Sequence, residues 1–126
     1  MVNLRDFVLG VVLGAVAVTT VVAATSNATM DPVALSPELY KVRFENDRVR
    51  VLEFQLQPGA KETMHSHPAG LVYVLAGGSL KNGFPDGTSS TRMAVTGEVI
   101  WRDAITHSGE NIGNSEVRSL VIDLKE

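Results

Sequence analysis

Three residues of the 126 are histidines, and two of them stand together in His65-Ser66-His67. In an extended chain residues i and i+2 point to the same face. Two such imidazoles can bind one ion as a pair, at metal–nitrogen distances of about 2.0–2.1 Å for zinc. His107 lies forty residues beyond His67, in Thr106-His107-Ser108, and joins them only through folding. By itself the His-x-His pair fits structural histidines as well as ligands. The chain has no cysteine, so thiolate ligands, a cysteine nucleophile and disulfides are excluded. A metal would have to be held by imidazole, carboxylate or amide groups. Ser66 and Ser108 flank the histidines. With every histidine assigned no base is left to activate them, so a Ser-His-Asp triad is not expected.

The elements that must position these residues read as strands. Residues 48–56, RVRVLEFQL, are rich in β-branched and aromatic side chains. Leu52, Phe54 and Leu56 alternate on one face and Val49 and Val51 on the other, which suggests a bulge or two buried faces. Pro58-Gly59 marks a turn, and residues 71–75, LVYVL, form an apolar run of strand length closed by Gly77-Gly78. Asn82-Gly83 and Pro85-Asp86-Gly87 carry turn chemistry, followed by Thr88, Ser89 and Ser90 as loop. Residues 92–96 and 99–101 read as short strands split by Gly97. The last strand, 117–124, sets Leu120, Ile122 and Leu124 on one face and Val117 and Val121 on the other. No segment after residue 40 shows a helical period of useful length. An all-β sandwich or barrel follows. Phe54 is expected in the core, Tyr73 and Trp101 in the core or a pocket wall, and Met64 and Met93 as packing. So small a domain has open faces to bury, and a homodimer is expected on that ground.

Gly59, five residues, then His65-x-His67, followed by Tyr73-Val74-Leu75-x-Gly77, resembles the first cupin motif, G-x5-H-x-H-x(3,4)-E-x6-G. Gly97, Val99, Trp101 and His107-x3-Asn111 resemble the second, G-x5-P-x-G-x2-H-x3-N. The likeness extends over residues 42–125, in the expected order, and is nearest to the small bacterial cupins. It implies a cupin jelly-roll β-barrel with a metal inside, held by His65, His67 and His107. Two departures stand out. The family's glutamate ligand should fall near Gly70, Leu71 or Val72, where there is no acid. The second motif's proline and glycine are replaced by Asp103 and Ile105, and His107 is one residue closer to Gly97 than the pattern asks.

On a regular strand Glu62 is out of phase with His65 and points away. Glu110 is out of phase with His107 unless a loop intervenes. A three-histidine site with open positions is therefore expected. Asp103, near His107 in sequence, is a candidate second partner that orients it. Asn111 is a candidate turn residue or donor behind the ligands. Three neutral imidazoles leave a divalent charge uncompensated, which favours an anionic ligand and lowers the pKa of bound water. Imidazole suits Fe, Zn, Ni and Cu alike, and Mn is not excluded. Three-histidine cupins include dioxygenases, so the resemblance implies a metal-dependent enzyme acting on a small organic molecule. A non-catalytic small-molecule binding or sensor cupin is the alternative.

Residues 7–24, FVLGVVLGAVAVTTVVAA, carry no charge and follow Arg5. Their length lies between a signal-peptide core and a spanning helix. Residues 1–28 are thus expected to be a cleaved signal peptide or a retained membrane anchor. Either way the remainder is exported, to the periplasm or the cell exterior: soluble if the segment is cleaved, membrane-anchored through 7–24 if it is not. Residues 29–39, with Pro32 and Pro37, read as an extended linker, and 40–126 as the cupin domain. Net charge is −3, and the basic run Lys41, Arg43, Arg48, Arg50 is broken by Glu45 and Asp47. That pattern excludes a nucleic-acid footprint.

Overall fold

The computed structural model describes residues 14–19 and 29–126. The signal or anchor segment expected at 1–28 lies almost wholly outside the described residues, and 14–19 form no regular element. Among the described residues no helix is long and apolar enough to cross a membrane.

Among the described residues one helical turn, α1 (Pro32–Leu35), precedes nine strands: β1 (Tyr40–Glu45), β2 (Val49–Leu56), β3 (His65–His67), β4 (Gly70–Ala76), β5 (Gly78–Gly83), β6 (Ser89–Ala94), β7 (Val99–Arg102), β8 (Ile105–Asn111) and β9 (Val117–Leu124). They form two antiparallel sheets. One has the order β1-β2-β9-β4-β7 and the other β3-β8-β5-β6. The molecule is a two-sheet jelly roll and not a closed barrel, since no ladder joins the sheet edges.

Alternation builds the core. Leu52, Phe54 and Leu56 of β2 face inward, opposite Val121, Ser119 and Val117 of β9. The β2–β9 ladder is regular over all eight residues. The bulge suggested by the phase slip lies instead in β1, where the register shifts between Val42 and Phe44. Val49 and Val51 are half-buried on the outer face. Tyr40 of β1 stacks on Phe54, ring centroids 4.9 Å apart, and closes the core cluster with Leu52, Leu56 and Val121. Burying side chains of this size stabilises by about 1.5–3 kcal/mol each.

Several local readings are corrected. The segment 29–39 is not an extended linker. Asp31 caps α1 by accepting from the Val33 N–H at 3.2 Å, and Pro32 at the helix start is preorganised for that turn. Pro32 and Ser36 are buried. Asn82-Gly83 is not a turn but the end of β5, paired with Ser89 and Ser90 of β6. The turn is Phe84–Thr88, where Gly87 adopts φ 83° and Asp86 accepts from the Thr88 N–H. Tyr73 faces outward and is 40% exposed, and Trp101 borders a cavity but is 57% exposed.

By the motif's spacing after His67 the glutamate would fall at Leu71 or Val72, next to Gly70. Gly70 pairs with Asp123 of β9 and Arg102 of β7, and a Cβ built there would overlap the Ile122 carbonyl oxygen. No side chain fits. Of the two neighbours, Leu71 faces outward and Val72 faces the cavity.

Candidate metal centre

β3 presents His65 and His67 to one side, and β8 sets His107 directly opposite His65. One ring nitrogen from each of the three lies within 4.8 Å of the others. His65 and His67 are buried, and His107 is partly buried.

In each ring Nδ1 is committed to a neighbour. His65 Nδ1 donates to the Thr63 carbonyl at 2.7 Å. His67 Nδ1 donates to Asp123 Oδ1 at 3.2 Å. His107 Nδ1 donates to Asn82 Oδ1 at 3.3 Å. A neutral imidazole that donates through Nδ1 keeps a lone pair on Nε2, so all three rings offer lone pairs to one locus. His65 Nε2 and His67 Nε2 stand 2.9 Å apart. Two ligands at about 2.0–2.1 Å from one ion, subtending roughly 90°, are separated by about that distance. His107 Nε2 is buried with no hydrogen-bond partner among the described residues. Facing lone pairs and an orphaned buried acceptor are unfavourable without a cation. The donor set therefore fits a divalent transition metal.

Protonation works the same way. Burial lowers the pKa of His65. Burial, with the neighbouring His65 and His67 charges, pushes His107 down to about 3. Both are deprotonated at neutral pH, as ligation requires.

Behind His67, Asp123 is 2% exposed. Burial works to raise its pKa, but His67 and Arg102 outweigh burial and hold it low. Arg102 Nη2 donates to Asp123 Oδ1 at 2.8 Å and to the Pro68 carbonyl at 2.9 Å. A carboxylate that orients a ligating imidazole raises its basicity and fixes its tautomer. Asp103 does not take that part for His107. It is exposed and accepts from Trp101 Nε1 at 3.0 Å, because β7 ends at Arg102 and the chain turns outward before β8. Asn111 is 1% exposed and makes none of its side-chain hydrogen bonds to the histidines. Its Nδ2 donates to the Leu56 and Ser115 carbonyls and its Oδ1 accepts from Gly113, so it clamps the β8–β9 loop.

Glu62 does not point away. It precedes β3 and follows no strand parity, and its backbone N–H is held by the Gly109 carbonyl. Its carboxylate is buried, accepts from the Tyr40 hydroxyl at 2.6 Å and lies 3.8 Å from His65 Nδ1. Tyr40 Oη is also 3.2 Å from His65 Nε2. Burial pushes Glu62 up to about 7, against the opposing hydrogen bond from Tyr40. Burial and Glu62 together raise Tyr40 well above its ordinary value, so the phenol stays protonated. Gly109 leaves room for the carboxylate, since a Cβ there would strike Glu62 Oε1.

Tyr40, Glu62, His67 and His107 line a cavity of about 260 Å³, whose apolar wall includes Phe54, Val72, Leu80, Phe84, Ile100 and Val121. Arg92, Arg102 and Asn82 add its polar contacts.

No family model and no curated protein sequence matches the chain. Solved structures do. A cupin domain from Bordetella pertussis is 27% identical, with a TM-score of 0.65, covering 70% of this chain and 93% of that one. A cupin superfamily protein from Desulfitobacterium hafniense is 20% identical, with a TM-score of 0.53 and coverages of 70% and 77%. A polyketide cyclase from Streptomyces resistomycificus is 25% identical, with a TM-score of 0.53 and coverages of 69% and 64%. The two packed sheets, the histidine placement and these likenesses agree: the chain has the fold of a small single-domain cupin.

Proposed function

We propose that this cupin is an exported, metal-dependent enzyme of the dioxygenase type, acting on a small, largely apolar organic molecule that carries an oxygen anion. The orphaned His107 Nε2, in a ring clustered with the 2.9 Å His65–His67 pair, carries the metal part of this reading. His65, His67 and His107 would hold Fe, Zn, Ni, Cu or Mn through Nε2. When bound, the metal supplies a Lewis acid and, if redox-active, a site for oxygen chemistry. The chain's own residues do the rest. Asp123, Thr63 and Asn82 fix the three rings. The apolar wall binds a hydrocarbon body and excludes water. Neutral ligands favour an anionic oxygen on the substrate. Tyr40 Oη and Glu62 Oε2 share a proton beside His65, placed to take a proton from the substrate or return one. That one structural neighbour is a polyketide cyclase supports an enzymatic role.

Export rests on residues 7–24 and the absence of charge there. A homodimer would cover the exposed Leu71, Tyr73 and Val99 of β4 and β7, and Tyr73→Lys would then shift sedimentation from dimer to monomer.

Oxygen uptake tests the reaction class. Protein loaded with each metal in turn is screened against enolisable and phenolic compounds in an oxygen electrode. Substrate-dependent uptake that disappears in His107→Ala supports the proposal. No uptake with any loaded metal contradicts it and favours the alternative of a ligand-binding or sensor cupin, for which the absence of an acid at Leu71 and Val72 also speaks.

A further inference from the structure

The residues just before the first strand are attached to the strand that carries two of the candidate ligands. The Met30 carbonyl accepts from the Ser66 N–H at 2.8 Å, between His65 and His67. Asp31 receives both ends of the Arg50 guanidinium, Nη2 to Oδ1 at 2.8 Å and Nη1 to Oδ2 at 3.2 Å. Arg50 Nη2 lies 3.5 Å from Asp123 Oδ2. Asp123 in turn accepts from His67 Nδ1. A chain of hydrogen bonds and ion pairs therefore runs from Asp31 through Arg50 and Asp123 to the His67 ring, buried at its inner end.

Each link has a physical effect. Arg102 holds Asp123 Oδ1 from one side, and Arg50 approaches Oδ2 from the other. Two cations fix the plane of the carboxylate, and that plane sets the His67 ring. Arg50 would be free to swing toward solvent on its long stem without Asp31, whose carboxyl is held low by the bidentate guanidinium. Asp31 is itself fixed as the cap of α1, and Pro32 is buried behind it. The Met30 hydrogen bond independently fixes the backbone between the two ligands.

We propose that residues 30–36 are part of the metal centre: Asp31 is a positioning residue for His67, acting through Arg50 and Asp123, and releasing this arm weakens metal binding. The arm is also where the apolar segment 7–24 joins the domain.

The inference rests on the three histidines being metal ligands, so its test has a second readout that needs no metal. In the full-length chain, Asp31→Asn, Asp31→Glu and, as a control, Glu53→Gln are compared with the unchanged protein. Glu53 pairs with Arg43 and Arg118 of the same sheet, with no link to the histidines. Zinc affinity is read by chelator competition, and the ¹⁵N shifts of the His67 ring are read in metal-free protein. The expected result is a zinc affinity weakened roughly three- to tenfold in Asp31→Asn, below the 10–100-fold typical of a direct partner of a ligand. The His67 nitrogens shift as well, Asp31→Glu restores most of both effects, and Glu53→Gln shows neither. Unchanged affinity and unchanged His67 shifts in Asp31→Asn would overturn the proposal. So would a loss of affinity that Glu53→Gln matches, since that is general destabilisation. If the unchanged protein takes up no zinc, the His67 shifts alone decide: a change supports the coupling and no change removes it.

Discussion

Glu62 should make the metal-free protein less stable as the pH rises through neutrality. The fold raises this carboxyl from 4.5 to about 7, chiefly by burying it. A group whose folded pKa is raised contributes stability that is fully present below its unfolded value and lost as pH rises through its folded value. The window therefore runs from about pH 4.5 to just above pH 7. A difference of about 2.5 units corresponds to about 3 kcal/mol, at about 1.36 kcal/mol per unit. Urea unfolding of chelator-treated protein at pH 5 and pH 8, beside Glu62→Gln, measures it. His65 and His107, held low, titrate in the opposite sense but do so in both proteins, and they drop out of the difference. Between the two pH values the unchanged protein should lose about 2.5 kcal/mol more than the variant, roughly 1–2.5 M in midpoint at ordinary urea sensitivity. A cation bound at the histidines favours the ionised carboxylate, so the same comparison on metal-loaded protein should show a smaller difference. Parallel stability curves for the two metal-free proteins would refute the reasoning, since Glu62 would then ionise as freely folded as unfolded.

Asp123→Asn removes the anion that His67 donates to and that Arg102 and Arg50 approach, and zinc affinity should fall about 10–100-fold by chelator competition. Gly109→Ala pushes a methyl group into the Glu62 carboxylate; metal content should be unchanged while turnover on a substrate found by the oxygen screen falls roughly 10–100-fold. Asn111→Ala leaves the Leu56 and Ser115 carbonyls and the Gly113 N–H without their partner, which should cost about 1–3 kcal/mol and several degrees in thermal unfolding, with zinc affinity unaltered.

The grouping of the three histidines was legible in the sequence because two of them obey the strand period and the third sits in a recognisable motif. The groups behind them were not. Asp123 is 56 residues from His67 in the chain. Its one local sign is that it shares the face of Val117 and Val121, an acid in phase with the core side of a strand. Asn82 was hidden by Asn-Gly turn chemistry, which the β5–β6 pairing overrides by moving the turn to Phe84–Thr88. Glu62 was excluded by a parity that starts only at His65, where β3 begins. Asp103 was drawn in by nearness in sequence, although a change of strand direction separates it from His107. The all-β class followed from alternation and turns. The division into two sheets depends on long-range pairing, such as β2 with β9, which no local pattern encodes.

The most direct test is the metal content of the full-length chain after reconstitution with each candidate divalent ion, measured beside a His65→Ala, His67→Ala double variant and His107→Ala. The expected result is one ion per chain in the unchanged protein, loss of that ion in the double variant, and much weaker retention in His107→Ala. A folded protein that takes up none of the ions, or one that holds its ion equally well without these histidines, would contradict the metal centre.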